Sequence, residues 1–149
     1  MRSRMHEPMR APFERVFALA ADVERWPQIL PHYRFVRAVP DPNGERRYAM
    51  GARRGAIPVR WEAIQRPKPG QREIEFVHTG GVTRGMWVAW RFEDAADGVL
   101  DVSIEHHLEL AWPLIGGFAA GQVIGPHFID AIAGRTLRTI RRLAEATER

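Results

Sequence analysis

The spacing of apolar residues changes twice along this chain and divides it into three parts. From Pro12 to residue 20, apolar side chains recur three and four positions apart, which predicts a helix with proline in its first turn. Asp22 is a good N-cap for a second short helix through Trp26. Pro27 and Pro31 should end that helix and commit the chain to extended structure.

From residue 32 to residue 110, apolar and polar side chains alternate, as in strands with one buried face. Turn sequences rich in glycine, proline and aspartate separate six predicted strands, at 32–39, 46–53, 57–66, 72–78, 83–92 and 99–110. Residues 3–10 can form a further strand, which Pro8 would confine to an edge of the sheet. Short strands joined by tight turns indicate an antiparallel meander.

The last part of the chain predicts one long amphipathic helix. Gly116-Gly117 breaks the strand pattern, a helix can begin at Phe118, and Pro126 would restart or kink it. Residues 128–144 then place apolar side chains on one face and arginines on the other, over about six turns. The whole pattern predicts one α+β domain, residues 1–149, in which only this helix is long enough to cover the apolar face of the sheet.

The alternation also predicts which side chains face this helix. Ile57 shares the inner face of its strand with the other apolar residues. The remaining apolar candidates for contact with a ligand are Met50, Trp61, Phe76, Met86, Trp90, Ile104, Phe128 and Ile132. Four polar residues fall on the same inner face: Tyr48, His78, Arg84 and His106. A buried polar group without a partner costs about 1–3 kcal/mol, so the protein or a ligand must supply partners for them.

Two interpretations of these polar residues stay open. His106 is either a core histidine bonded to the protein or a hydrogen-bond donor or general base in a pocket, with His78 as the second candidate for proton transfer. Arg84 either points inward, which would favour a ligand with a carboxylate, enolate or phenolate, or extends to water from a strand end.

Composition excludes several kinds of chemistry. The chain has no cysteine, which excludes disulfides, thiol nucleophiles and zinc sites with cysteine ligands. Its six histidines lack the spacing of metal ligands, and it contains no phosphate loop, nucleophile elbow or dinucleotide fingerprint, so we expect no metal and no cofactor. No apolar run is long enough to span a membrane, and the N-terminus lacks a secretory pattern, so we expect a cytoplasmic protein.

The basic residues are almost all arginine. Of the 22 basic residues only Lys68 is a lysine, and the net charge is +4. An arginine-rich solvated surface is the simpler interpretation, because net charge alone specifies no partner. An anionic partner such as ribosomal RNA, contacted by Arg135, Arg138 and Arg142, ranks last because lysine is scarce and no aromatic strand platform is present; we therefore do not expect nucleic acid binding.

One segment carries a family resemblance. Residues 11–36, APFERVFALAADVERWPQILPHYRFV, resemble the opening of the polyketide cyclase/dehydrase family, whose superfamily includes START lipid-transfer domains and the Bet v allergens. Residues 78–92 and 112–146 are similar to a bacterial branch of the same group. The resemblance implies a helix-grip fold, with seven curved antiparallel strands, two small helices and a long C-terminal helix around a hydrophobic cavity. It carries over no catalytic motif, and Arg84, Tyr48 and Trp90 are the nearest counterparts of the side chains that position polyketides in aromatase/cyclases.

Three functions follow from these observations. The first is binding of an apolar small molecule, such as a lipid, a quinone or a polyketide-like compound, in a cavity between sheet and helix. The second is a cyclase or dehydratase that acts on a poly-β-carbonyl chain, with His106 or His78 moving a proton. The third is docking on an anionic partner. The first is favoured because the inner face carries few polar groups, as ligand pockets do.

Overall fold

The computed structural model describes residues 2–81, 83–108 and 126–146. Within these ranges the chain forms seven strands and three α-helices. In chain order they are β1 (Arg2–Met9), α1 (Phe13–Ala21), α2 (Trp26–Ile29), β2 (Tyr33–Val39), β3 (Arg46–Arg54), β4 (Ile57–Lys68), β5 (Glu73–Gly81), β6 (Trp87–Asp94), β7 (Leu100–His107) and α3 (Pro126–Ala146).

The strands form one curved antiparallel sheet in the order β1-β7-β6-β5-β4-β3-β2. Strands β2 to β7 follow one another along the chain, which confirms the predicted meander. Strand β1 pairs with β7 and forms one edge of the sheet. Proline is tolerated at this edge because its missing N–H interrupts no hydrogen bonds between interior strands. The α+β helix-grip architecture is therefore confirmed.

Helix α3 covers the inner face of this sheet and packs against β1, β3 and α1. Ala133, Leu137 and Ile140 are buried on its inner side. It approaches β1 closely at Gly134, where an added Cβ would lie 2.8 Å from the Met5 side chain. The predicted amphipathic helix is thus present from Pro126 onward, whereas the predicted break at 116–117, the helix start at 118 and strand residues 109–110 lie outside the described residues.

The prolines after α1 act differently from the prediction. Pro27 does not end the second helix, because α2 runs from Trp26 to Ile29 and holds Pro27 in its first turn, where a missing N–H breaks no bond. Asp22 precedes a short 3₁₀ turn, Val23–Arg25, and makes no side-chain capping bond.

Two predicted strands also have different ends. Strand β6 begins at Trp87, because residues 83–85 form a turn that ends at Gly85 with a positive φ of 92°. Strand β5 continues to Gly81, beyond the predicted end at His78. The prediction that Ile57 faces the core is wrong: its side chain is 47% exposed, because the first residues of β4 pair with β3 alone and extend past β5.

Ion pairs between neighbouring strands cover much of the outer face of the sheet. Arg66 contacts Glu45 at 2.9 Å and Glu75 at 3.4 Å. Arg91 contacts Glu105 at 2.8 Å and Glu73 at 3.4 Å. Each pair is worth little on an exposed surface, but together they neutralise the arginines of this region and agree with the interpretation of a solvated surface.

Gly81 joins β5 to the turn that carries Thr83, and its conformation requires glycine. Its φ is +90°, and an added Cβ would lie 2.6 Å from the Arg60 carbonyl oxygen. We expect Gly81→Ala to lower the free energy of unfolding by more than about 2 kcal/mol, through strain and overlap together, in urea denaturation. Gly55→Ala is the control, because Gly55 has a φ of +59° but no neighbour within 4 Å, and should cost about 1 kcal/mol. Equal losses would contradict the overlap.

Candidate functional site

A cavity lies between the inner face of the sheet and the first turns of α3. Its free space is about 660 Å³, including the part open to solvent, and about 80 Å³ can hold the centres of water-sized molecules. That is room for about six waters at ~10–15 Å³ each, so the void exceeds the packing defects of an ordinary core. The space can hold a compact small molecule.

Most of the residues predicted to contact a ligand line this cavity. They are Met50, Trp61, Phe76, Met86, Trp90, Ile104 and Ile132, together with both predicted histidines, His78 and His106. Neighbouring strands supply them because alternate residues of each strand point to the same face. Their contact with a ligand stays a prediction.

Three predicted ligand contacts have a different outcome. Arg84 is exposed in the turn before β6, so of its two interpretations the structure agrees with extension to water and not with an inward position. Tyr48 is buried on the inner face but is not among the described residues that line the cavity. It lies near Glu24 and Arg46, whose charges act on the pKa of its hydroxyl. Phe128 belongs to the first turn of α3, and its side chain lies outside the described residues.

His78, near the end of β5, occupies one polar corner of the cavity. Its Nδ1 hydrogen-bonds the Thr83 hydroxyl at 2.6 Å, and its ring stacks on Trp61, with centroids 5.8 Å apart and planes inclined by 7°. Burial lowers the pKa of His78 to about 3, and the nearby His106 acts in the same direction. The imidazole is therefore uncharged at neutral pH.

His106, on β7, belongs to the same polar corner. Its Nδ1 lies 3.5 Å from the Ser3 hydroxyl on β1, the strand paired with β7. Burial lowers the pKa of His106 to about 4, although the Asp130 carboxylate on α3 acts in the opposite direction. In the described part of the chain, the side-chain hydrogen bonds of His78 and His106 use Nδ1, so neither Nε2 has a protein partner there.

A second polar corner, which the sequence pattern did not predict, lies where β2 meets α3. His32 Nε2 hydrogen-bonds Thr136 Oγ1 at 2.8 Å, and the Thr136 hydroxyl donates to the Ile132 carbonyl at 2.8 Å. Tyr33 also interacts with Thr136, and burial raises the Tyr33 pKa. Burial, assisted by the positive charge of Arg135, lowers the pKa of His32 to about 4. A threonine on the apolar face of the last helix was the available sequence signal for this corner.

Trp26 was also missed as a part of the cavity wall. Its indole N–H donates to the Leu19 carbonyl at 3.1 Å, and its ring meets Tyr33 edge-on at 4.9 Å between centroids. Trp26 is the first residue of α2, a helix of only four residues, which is too short for the helical period to assign a face.

The described wall of the cavity contains no charged side chain. No arginine, lysine, aspartate or glutamate is among the described residues that line it. Arg135, Arg138 and Arg142 are exposed on α3. In the described ranges, histidines and carboxylates form no group of three or more that could hold a metal ion. No described helix is long and apolar enough to cross a membrane.

A long helix gripped by a curved antiparallel sheet, with an apolar cavity between them, defines a helix-grip domain. Residues 9–125 match the family described as polyketide cyclase / dehydrase and lipid transport, and the chain belongs to that family. The resemblance of the opening segment is thereby confirmed.

Solved structures share the fold at low sequence identity. TTHA0849 from Thermus thermophilus aligns with a TM-score of 0.80 at 19% identity, over 100% of both chains. The Zhui aromatase/cyclase from Streptomyces sp. R1128 aligns with a TM-score of 0.80 at 16% identity, over 100% of this chain and 96% of that one. A START superfamily protein from Mycobacterium smegmatis gives 0.70 at 12% identity, over 95% and 98%. No curated protein sequence matches the chain.

The buried histidines should make stability depend on pH. In the unfolded chain they titrate near 6.5, whereas the folded pKa values of His32, His78 and His106 are about 4, 3 and 4. Between these values the unfolded state binds more protons, so the free energy of unfolding falls as the pH drops below about 6.5, by at most ~1.4 kcal/mol per pH unit for each histidine.

The measurement is the urea midpoint between pH 7.5 and 5, above the range in which ordinary carboxylates titrate. His78→Gln and His106→Gln should each flatten the profile, because an amide does not titrate. A midpoint that stays constant across this range in the natural sequence would show that the imidazoles are not buried in the uncharged form.

Proposed function

We propose that the protein binds an apolar small molecule, of lipid, quinone or polyketide type, in the cavity between the sheet and α3. The observation that carries the proposal is a wall of aromatic and aliphatic side chains that α3 covers but leaves unfilled. Removal of apolar ligand surface from water would supply the binding energy, at roughly 25 cal/mol per Å². A cytoplasmic location remains part of this proposal.

The energetics of packing support an occupant. Protein cores are close-packed, and an empty cavity destabilises the fold in proportion to its volume. A void lined by Trp26, Trp61 and Trp90 could be closed by small changes in the facing side chains of α3. Retention of that void is expected if a ligand fills it. The family description, which includes lipid transport, supports the same proposal.

Titration with N-phenyl-1-naphthylamine, an uncharged fluorophore that brightens in apolar sites, tests the proposal. We expect saturable binding at one site per chain. Ile132→Trp should abolish it, because Ile132 lines the cavity and the larger ring would fill the space. Ile57→Trp is the matched control, since it adds the same ring at an exposed position. Absence of saturable binding to the natural sequence, or equal binding to both variants, would contradict the proposal.

Cyclisation or dehydration of a poly-β-carbonyl chain is the second candidate function. It is supported by the two histidines in the cavity and by the name of the Zhui aromatase/cyclase, which shares the fold. Dehydration requires a general acid as well as a base, and an effective catalytic group has a pKa near the working pH. With pKa values of about 3 and 4, His78 and His106 are not imidazolium ions at pH 7 and are therefore weak general acids, which ranks binding first.

A turnover assay separates the two functions. If the protein is a cyclase, His106→Gln should lower the rate of ring formation from a linear poly-β-carbonyl thioester by about 10²-fold or more, because proton transfer contributes that much. Binding of N-phenyl-1-naphthylamine should persist in the same variant. Equal rates in both proteins would exclude His106 from the chemistry, and no turnover by the natural sequence would leave binding alone.

A further inference from the structure

We infer that the ligand is an uncharged molecule whose apolar body ends in a hydroxyl or carbonyl group, and that His78 and His106 recognise this group. The inference rests on the proposed function, because it names the class of molecule that the cavity selects. Three observations lead to it: the charges around the cavity, the unused hydrogen-bonding atoms in its wall, and the place where those atoms lie.

The charges exclude an acidic ligand. The described residues of the cavity wall include no cation, and Arg84, the one inward candidate for an acid-binding group, is exposed in a turn. The carboxylate close to the polar corner is Asp130, which affects the titration of His106. Its Oδ1 is buried without a hydrogen-bond partner in the described residues. Among the described residues, an anion in the cavity would therefore meet the nearby Asp130 carboxylate and no cation, and it would lose its hydration.

Unused hydrogen-bonding atoms lie at one corner of the cavity. At the corner where β2 meets α3, the Thr136 hydroxyl of the wall already bonds His32 and the Ile132 carbonyl. The unpaired Nδ1 atom there belongs to His32, which is not among the described residues that line the cavity. At the other corner, His78 and His106 use their Nδ1 atoms and leave both Nε2 atoms without a partner in the described residues. A polar group of the ligand gains most where the wall is unsatisfied, so it should lie at the histidines.

An uncharged imidazole suits two kinds of partner. Its Nε2 donates a hydrogen bond in one tautomer and accepts one in the other. A hydroxyl can therefore donate to it and a carbonyl can accept from it, without any change in net charge. The rest of the ligand would lie against the stacked Trp61 ring and the other aromatic side chains, which favours a flat or cyclic body.

Equilibrium dialysis of three ligands with the same two rings tests this at pH 7.5: naphthalene, 2-naphthol, which is uncharged, and 2-naphthoate, which is an anion. We expect 2-naphthol to bind about 3–10-fold more tightly than naphthalene, the net gain from one hydrogen bond. We expect 2-naphthoate to bind at least about 10-fold more weakly than 2-naphthol, because a buried anion lacks a counter-charge.

Variants assign the preference to the histidines. The double change His78→Leu with His106→Leu should bring the affinities for 2-naphthol and naphthalene together, whereas His106→Gln should keep most of the difference, because an amide still hydrogen-bonds. Tyr48→Phe is the control, since it removes a buried hydroxyl outside the cavity wall and should leave the difference unchanged.

The comparison of three ligands needs only the natural sequence, so it holds even if a leucine variant does not fold. Binding of 2-naphthoate as tight as that of 2-naphthol would overturn the exclusion of anions. Equal binding of 2-naphthol and naphthalene would overturn recognition by the histidines while leaving the proposed function intact. Failure of all three ligands to bind would count against the proposed function itself.

Discussion

The curved sheet has one apolar face, and α3 is the described element that covers most of it, so the way α3 is fixed determines the rest of the structure. The described hydrogen bonds and ion pairs that hold α3 in place come from its middle and last turns. Thr136 is bonded to His32, Arg141 pairs with Glu7 of β1 at 2.5 Å, and Glu145 accepts from a backbone N–H near the end of β1 at 2.9 Å. The cavity lies under the earlier turns of α3, next to the turns that make these contacts.

The same sheet separates charge from apolar surface. On the outer face, arginines and carboxylates from neighbouring strands neutralise each other, as Arg66 and Arg91 do with their glutamates. In the described cavity wall, on the inner face, the polar residues are uncharged histidines and hydroxyls. A chain with 22 basic residues thus places none of them among the described residues of the cavity wall, because a buried cation would lose its hydration without a partner.

Strand alternation predicted most of the cavity wall because it is a local property: a residue and its second neighbour share a face whatever the rest of the chain does. Trp61, Phe76 and Ile104 were identified in this way. Alternation does not say where along a strand the cavity lies, which is why Tyr48 was placed on the correct face and yet lies outside the wall.

The remaining differences come from strand ends and from tertiary contacts. The turn that ends at Gly85 takes Arg84 out of the strand pattern, and the absence of a β5 partner at the start of β4 exposes Ile57. Trp26 joins the wall through packing of α2, which is too short to show a period. The inference that the ligand is uncharged also rests on the exposed position of Arg84, which no local sequence pattern predicts.

The Thr136 hydroxyl carries a consequence for how relatives of this chain diverge. A hydroxyl has one proton, and here the Ile132 carbonyl takes it, so the bond from His32 must use a ring N–H at Nε2. That fixes the tautomer and leaves His32 Nδ1 buried and unpaired in the described residues. Loss of either side chain alone leaves the other buried without its hydrogen-bond partner, so positions 32 and 136 are expected to co-vary. Serine is the substitute for threonine that would keep the hydrogen bond to the histidine.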